Sequence, residues 1–178
     1  MPVINWTEWA GLIGFGSAAV AHLRAAQGGA RGGRSARRWW HGLALAYALA
    51  CIEVVAGTRH QLLRLLAFSS SLGELYAYRR PFQAGVLFVL VLLVGWITSR
   101  MIRSTRGGPV RLAAVIALWV ACLFLAEVIS LHQIDALMYQ KLGPIMVIGW
   151  LWLALGLFAA SVAVAARRRS LPRPVRRP

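Results

Sequence analysis

Acidic residues are nearly missing from this chain: 178 residues include only Glu8, Glu53, Glu74, Glu127 and Asp135, against twenty basic side chains. The charges that exist are segregated. They fall into clusters between long apolar runs, whereas a soluble domain interleaves charged and apolar positions. A soluble fold would have to bury several helices that are apolar on every side, and a chain of this length encloses too little core to do so. Lipid supplies the missing apolar surroundings.

Cysteine is scarce too. Cys51 and Cys122 each lie inside an apolar run, which excludes a disulfide framework and marks both thiols as small packing groups. The chain has no nucleophile elbow, no phosphate-cradling glycine loop and no H-E-x-x-H zinc motif. The glycines at 28, 29, 32 and 33 precede arginines without a strand before them and read as linker. The N-terminus lacks a basic leader region, and its first apolar run meets arginines instead of a cleavage site, so a retained helix is expected.

Lysine occurs once, at position 141; the other nineteen basic residues are arginines, and the net charge is +15. In a soluble chain that charge would suggest nucleic acid. Most of the arginines instead lie between apolar runs or in the C-terminal tail, the pattern of charges that set membrane topology, and no nucleic-acid partner is expected.

The apolar runs predict an all-α integral membrane bundle of about five transmembrane helices over residues 1–166, followed by a basic, proline-rich tail at 167–178. The spans run approximately over 6–23, 39–57, 82–98, 112–131 and 144–166. At 1.5 Å per residue they reach about 25 to 35 Å, enough to cross a hydrocarbon layer of about 30 Å with some tilt. The first is the least hydrophobic and rich in small residues; Gly14 with Ala18, and Ser17 with Ala21, form a small-xxx-small packing face. Trp6, Trp9, Trp39 and Trp40 stand at span ends, where indoles prefer the headgroup level.

Counting basic residues on alternate sides gives fifteen beside the first and second, third and fourth, and last span ends, against five on the other side (Arg59, Arg64, Arg79, Arg80 and Lys141). The positive-inside rule then places the N-terminus outside and the C-terminus in the cytoplasm. The segment 27–38 and the tail read as solvated linkers that could meet anionic lipid headgroups.

Polar residues gather towards the outer face, apart from His22 and His41, which read as interfacial groups near the cytoplasmic boundary. An ionisable group inside a span costs about 2.5 to 3.5 kcal/mol on insertion scales, so it normally faces the bundle interior and has a partner. Glu53 lies about 6 to 9 Å inside the apolar layer, and Glu127 at similar depth. If the second helix continues past Gly57, then Glu53, Gly57, His60 and Arg64 form one stripe.

The candidate polar site is therefore Glu53, His60, Arg64, Glu127, His132 and Asp135. Three readings stay open for it. One is a structural network in which the carboxylates pair with arginines; another is a divalent-metal site using Glu53, His60, Glu127 and His132; the third is haem on His60 and His132. Glu127 and His132 lie about 140° apart on an unbroken helix, so they can share a site only if the helix breaks near Ser130.

The two outer connections look alike. Ser71-Leu72-Gly73-Glu74 and Ser130-Leu131-His132-Gln133 both match a capping box, predicting a short interfacial helix in each, and Pro81 and Pro144 are expected at the start of the following spans. The pairing suggests an internal repeat of spans two-three and four-five. A second candidate site, for an anion or lipid headgroup, comprises Tyr76, Arg79, Arg80 and Gln83, because guanidinium forks suit phosphate oxygens.

The runs Tyr76-Ala77-Tyr78-Arg79-Arg80-Pro81-Phe82-Gln83 (Y-x-x-R-R-x-x-Q) and Ser130-Leu131-His132-Gln133-Ile134-Asp135-Ala136-Leu137 (S-L-H-x-x-D-A-L) resemble a loose group of uncharacterised bacterial multi-pass membrane proteins. The resemblance spans about Glu53 to Trp152 and implies a bacterial inner membrane; it attaches no activity or cofactor. The sequence thus supports a structural or accessory membrane component with the lipid bilayer, anionic headgroups or a membrane protein as partners. A membrane-embedded enzyme or metal-binding protein is the alternative, and a transporter or channel the third class.

Overall fold

The computed structural model describes residues 5–28, 33–57, 76–103, 108–129 and 132–170, with the backbone alone for 76–84, Met101, Ile102, Val128, His132, Gln133 and Ser170. It is all-α apart from one small hairpin: α1 (Trp6–Gln27), α2 (Gly33–Ala56), α3 (Tyr76–Arg103), α4 (Pro109–Ile129), α5 (His132–Met138), β1 (Lys141–Leu142), β2 (Ile145–Met146) and α6 (Val147–Ser170). Among the described residues, three helices are long and apolar enough to cross a membrane: Arg34–Ala56, Pro109–Glu127 and Val147–Arg169. The apolar part of α3, Gly85–Arg100, is shorter, and α1 is not among the three.

Local chemistry explains the helix ends. Asn5 caps α1: its Oδ1 accepts from the Glu8 amide at 2.9 Å, and Glu8 Oε2 accepts from the Asn5 amide at 2.9 Å, a reciprocal box that satisfies two otherwise orphaned donors. Pro109 opens α4, where its missing N–H costs nothing. Gly57, at φ 58°, closes α2, its amide donating to the Glu53 carbonyl at 2.8 Å.

Several expected boundaries move. The arginine-rich stretch expected to be linker is helical from Gly33, because arginine and alanine are good helix formers. Pro81 falls in the second turn of α3 instead of its first. Pro144 does not begin a helix at all; with Gly143, at φ 72°, it forms the two-residue turn between β1 and β2, which pair antiparallel with Lys141 opposite Met146 and Leu142 opposite Ile145. Glycine at the first central position suits such a turn, since a positive φ there costs it little.

A helix rich in small residues is the central one. α1 packs most extensively against α6 and next against α2; α4 packs on α6, α3 and α2. Along the α1–α6 seam the backbones touch. A Cβ on Gly156 would lie 2.6 Å from the Gly14 Cα, and one on Gly14 would lie 2.7 Å from the Trp152 carbonyl oxygen. Ala18, Ala159 and Ala163 continue the seam, all fully buried. The expected face of Gly14 and Ala18 is thus the packing face, and small residues are what allow the close approach.

An aromatic chain fills the rest of the core. Phe15 packs on Tyr47, Phe124 and Trp152 at centroid distances of 6.2, 5.8 and 6.5 Å, and His22 packs on Tyr47 and Trp40 at 5.0 and 5.4 Å. Phe15 and His22 are seven apart on α1, as Trp40 and Tyr47 are on α2, so each pair shares a helix face. Trp40 is 1% exposed and belongs to this core, unlike Trp6, Trp9 and Trp39, which are exposed as expected of interfacial indoles. Outside, large apolar side chains face away from the bundle: Leu45, Leu49 and Ile52 form a stripe on α2, and Phe88 and Trp96 on α3 are 63% and 60% exposed. A surface of this kind calls for lipid or protein to cover it.

Candidate functional site

The two ends of the bundle are chemically opposite. At one end lie the start of α1, the hairpin, the start of α6 and the ends of α2 and α4, bringing the neighbourhoods of Glu8, Glu53, Glu127 and Asp135 to the same level. At the other end Arg24, Arg111 and Arg167 to Arg169 come together from α1, α4 and α6.

At the acidic end, Glu127 is 3% exposed, while Glu53 and Asp135 are half-buried. All three take part in polar or electrostatic interactions. The description of α4 ends at Ile129 and that of α5 begins at His132; Ser130 and Leu131, where a shared site would require a break, lie outside the described residues. The Glu53 to Arg64 stripe does not continue as one helix, because Gly57 turns left-handed and ends α2; His60 and Arg64 lie outside the described residues. No group of three His, Cys, Asp or Glu side chains able to hold a metal ion occurs among the described residues.

The hairpin seals this end. The Met146 amide donates to Thr7 Oγ1 at 3.1 Å, the Val147 amide to the Gln140 carbonyl at 3.0 Å, and Trp150 Nε1 to the Leu142 carbonyl at 3.1 Å. Gly149 lets Thr7 approach: a Cβ there would lie 2.8 Å from Thr7 Cγ2. A helix was expected in this outer connection, and α5 is that helix. The corresponding segment around Ser71 lies outside the described residues. Tyr76, Arg79, Arg80 and Gln83 occupy the first two turns of α3, where their spacing of three, four and seven places them on one helix face. Among the described residues, packing differs between the suggested repeats, since α4 packs on α6 whereas α2 and α3 have no comparable contact.

Sequence reading missed two features of the arginine end. His22, expected at the interface, is fully buried against Tyr47 and Trp40. Its Nδ1 carries a proton donated to the Ala18 carbonyl at 2.7 Å, since a carbonyl can only accept; Nε2 and the Tyr47 hydroxyl are buried with no hydrogen-bond partner among the described residues. The signal was present: Phe15, Ala18, His22 and Ala25 recur on one face of α1, and that face is the buried one.

The second feature is a pair of grooves flanking the end of α6. One, of about 650 Å³, runs between α1 and α6 from Gly16 and Ser17 to Arg24, Arg167 and Arg168. The other, of about 420 Å³, lies between α4 and α6 and is bordered by Arg111 and Arg169. Both have apolar walls and arginine mouths. Compared with protein-family models, curated proteins and solved structures, the chain matches none.

Proposed function

We propose that this chain is a bacterial inner-membrane protein of five spans, N-terminus outside and C-terminus in the cytoplasm, acting as a structural or accessory component through its lipid- and partner-facing surfaces. The observation that carries this reading is the seam between α1 and α6, where Gly14 and Gly156 stand backbone to backbone within a bundle whose apolar side chains face outward. An interior packed this closely suits a scaffold better than a conduit, because no polar stripe crosses it among the described residues. The segregation of arginines from carboxylates supports the orientation. α1 and α3 then complete the five spans, α1 packed against α6 and α2 with Ile13, Val20 and Leu23 on its exposed face.

Single cysteines at Ser104 and Ser170, and at Ser70 and Gln140, in a chain with Cys51 and Cys122 replaced by alanine, test the orientation. A membrane-impermeant maleimide applied to intact spheroplasts is expected to label the second pair and spare the first; the reverse pattern refutes the topology. Saturable solute flux in proteoliposomes above the protein-free level would refute the scaffold reading in favour of transport.

The burial of Glu127 in the last turn of α4 favours one alternative, a membrane-embedded enzyme or metal-binding protein using Glu53, Glu127, His132 and Asp135. Stoichiometric metal in the purified protein, lost in Glu127→Gln, would establish it.

A further inference from the structure

The helices of this bundle are longer than their apolar middles. α2 opens on Arg34, Arg37 and Arg38, and α6 closes on Arg167, Arg168 and Arg169, so the distance between interfacial markers, not helix length, sets the thickness of oil that the molecule fits.

Packing places those markers on two levels. α1 and α6 run in the same direction without drifting in register: Thr7 lies against Met146 and Gly149, Gly11 against Trp152, Gly14 against Gly156 and Gly28 against Arg167. Trp9 and Trp150 are therefore level, and within a turn so are Arg24 and Arg167, which border one groove. α2 runs the other way, with Val54 against Gly11 and Trp40 against His22, which brings Val55 to the level of Trp9 and Trp39 to the level of Arg24. On α4, Phe124 meets Trp152 and Arg111 shares a groove with Ala166, so Arg111 joins the arginine level. Trp9, Trp39 and Trp150 are exposed, as are Arg24 and Arg167.

Between the two levels lie fifteen residues on α1 (Trp9 to Arg24), sixteen on α2 (Trp39 to Val55) and seventeen on α6 (Trp150 to Arg167). At 1.5 Å per residue these spans reach about 22 to 26 Å, against about 30 Å for an average hydrocarbon core. α3 agrees independently, its apolar stretch being only Gly85–Arg100. Long arginine stems let a backbone sink while the guanidinium stays in water, which would hide a shorter reach. Trp39 removes that ambiguity, because its indole belongs at the headgroup level and it stands level with Arg24.

We propose that the protein fits a hydrocarbon layer about 4 to 8 Å thinner than average and takes short-chain phospholipids as its preferred lipid neighbours, thinning the bilayer around it where only longer chains are present. Tilting cannot correct the mismatch, since it shortens each helix further along the membrane normal. Glu53, two residues before Val55, then lies only about 3 Å inside the boundary, which lowers the cost of a half-buried carboxylate there. The proposal deepens the scaffold reading and rests on the chain being embedded in lipid; it does not depend on which end faces the cytoplasm.

The test reconstitutes the full chain in mixtures of brominated dioleoyl phosphatidylcholine with one unbrominated phosphatidylcholine at a time: dimyristoleoyl, dipalmitoleoyl, dioleoyl or dieicosenoyl. Bromine quenches tryptophan fluorescence on contact, so recovered fluorescence reports how well each lipid displaces the brominated one. The two shortest lipids are expected to bind about 3- to 10-fold more strongly than dieicosenoyl, a mismatch of several ångströms costing a fraction of a kcal/mol for each. Equal affinity across the series, or a maximum at dioleoyl or beyond, would overturn the proposal. X-ray scattering from stacked dieicosenoyl bilayers gives a second reading: the spacing between headgroups should fall as protein is added, and a constant spacing would refute the thinning.

Embedding is checked first by washing the vesicles in alkaline carbonate. A chain released by the wash would refute the membrane reading and this proposal with it, whereas a retained chain without chain-length preference refutes the proposal alone.

Discussion

At the scale of single residues, glycines are not equivalent. Gly156 has the Gly14 backbone where a methyl group would go, while Gly42 has open space. Gly156→Ala is therefore expected to lower stability by about 1 to 3 kcal/mol, as overpacking does, and Gly42→Ala to leave it unchanged or raise it. Denaturant titration in mixed micelles would compare them; equal behaviour would mean the seam is not as tight as described. His22 poses a sharper question. Its ring fills space between Trp40 and Tyr47, yet its buried Nε2 has no hydrogen-bond partner among the described residues. His22→Phe should retain most of the stability, since it keeps the aromatic contacts and removes a costly orphan polar atom; His22→Ala should cost about 2 to 5 kcal/mol through the cavity it leaves. A phenylalanine variant that folds normally but loses a cellular phenotype would assign the imidazole a chemical task.

At the scale of elements, the hairpin and its anchor matter most. Thr7 holds the Met146 amide from a position 139 residues away in sequence, tying the start of α1 to the start of α6. Thr7→Val keeps the shape and removes the acceptor, which should leave a part-buried donor unsatisfied and cost about 1 to 3 kcal/mol. Hydrogen exchange at the Met146 amide should quicken at the same time; unchanged protection would show that the hairpin holds without this bond. Asn5→Ala removes one half of the capping box and should destabilise α1 by about 1 kcal/mol.

The short helix α5 was readable from Ser130, Gln133 and the residues between, because a capping box is a local device. Its neighbour was not. Proline is common at a helix start as well as in a turn, and only the pairing of Lys141 with Met146 decides between the two uses at Gly143 and Pro144.

At the scale of the whole molecule, the arginine bias should survive partial neutralisation. Changing Arg167, Arg168 and Arg169 to glutamine leaves the majority of basic residues on the same side, so maleimide labelling should report an unchanged orientation. A flipped C-terminus would mean that the terminal cluster alone sets topology. Of the five spans expected, three helices among the described residues are long and apolar enough to cross a membrane; apolar runs were enough to derive an all-α chain with membrane-spanning helices, and the small-residue face of α1 was legible as a packing face. These properties repeat every few residues along one segment, so the sequence by itself determined them. What the small residues of α1 pack against, the burial of His22 and Trp40, and the grooves beside α6 were decided by the tertiary structure. They depend on which helices become neighbours, a relation between separate segments that no local periodicity encodes. A helix rich in small residues became the centre for the same reason: small side chains permit two backbones to meet.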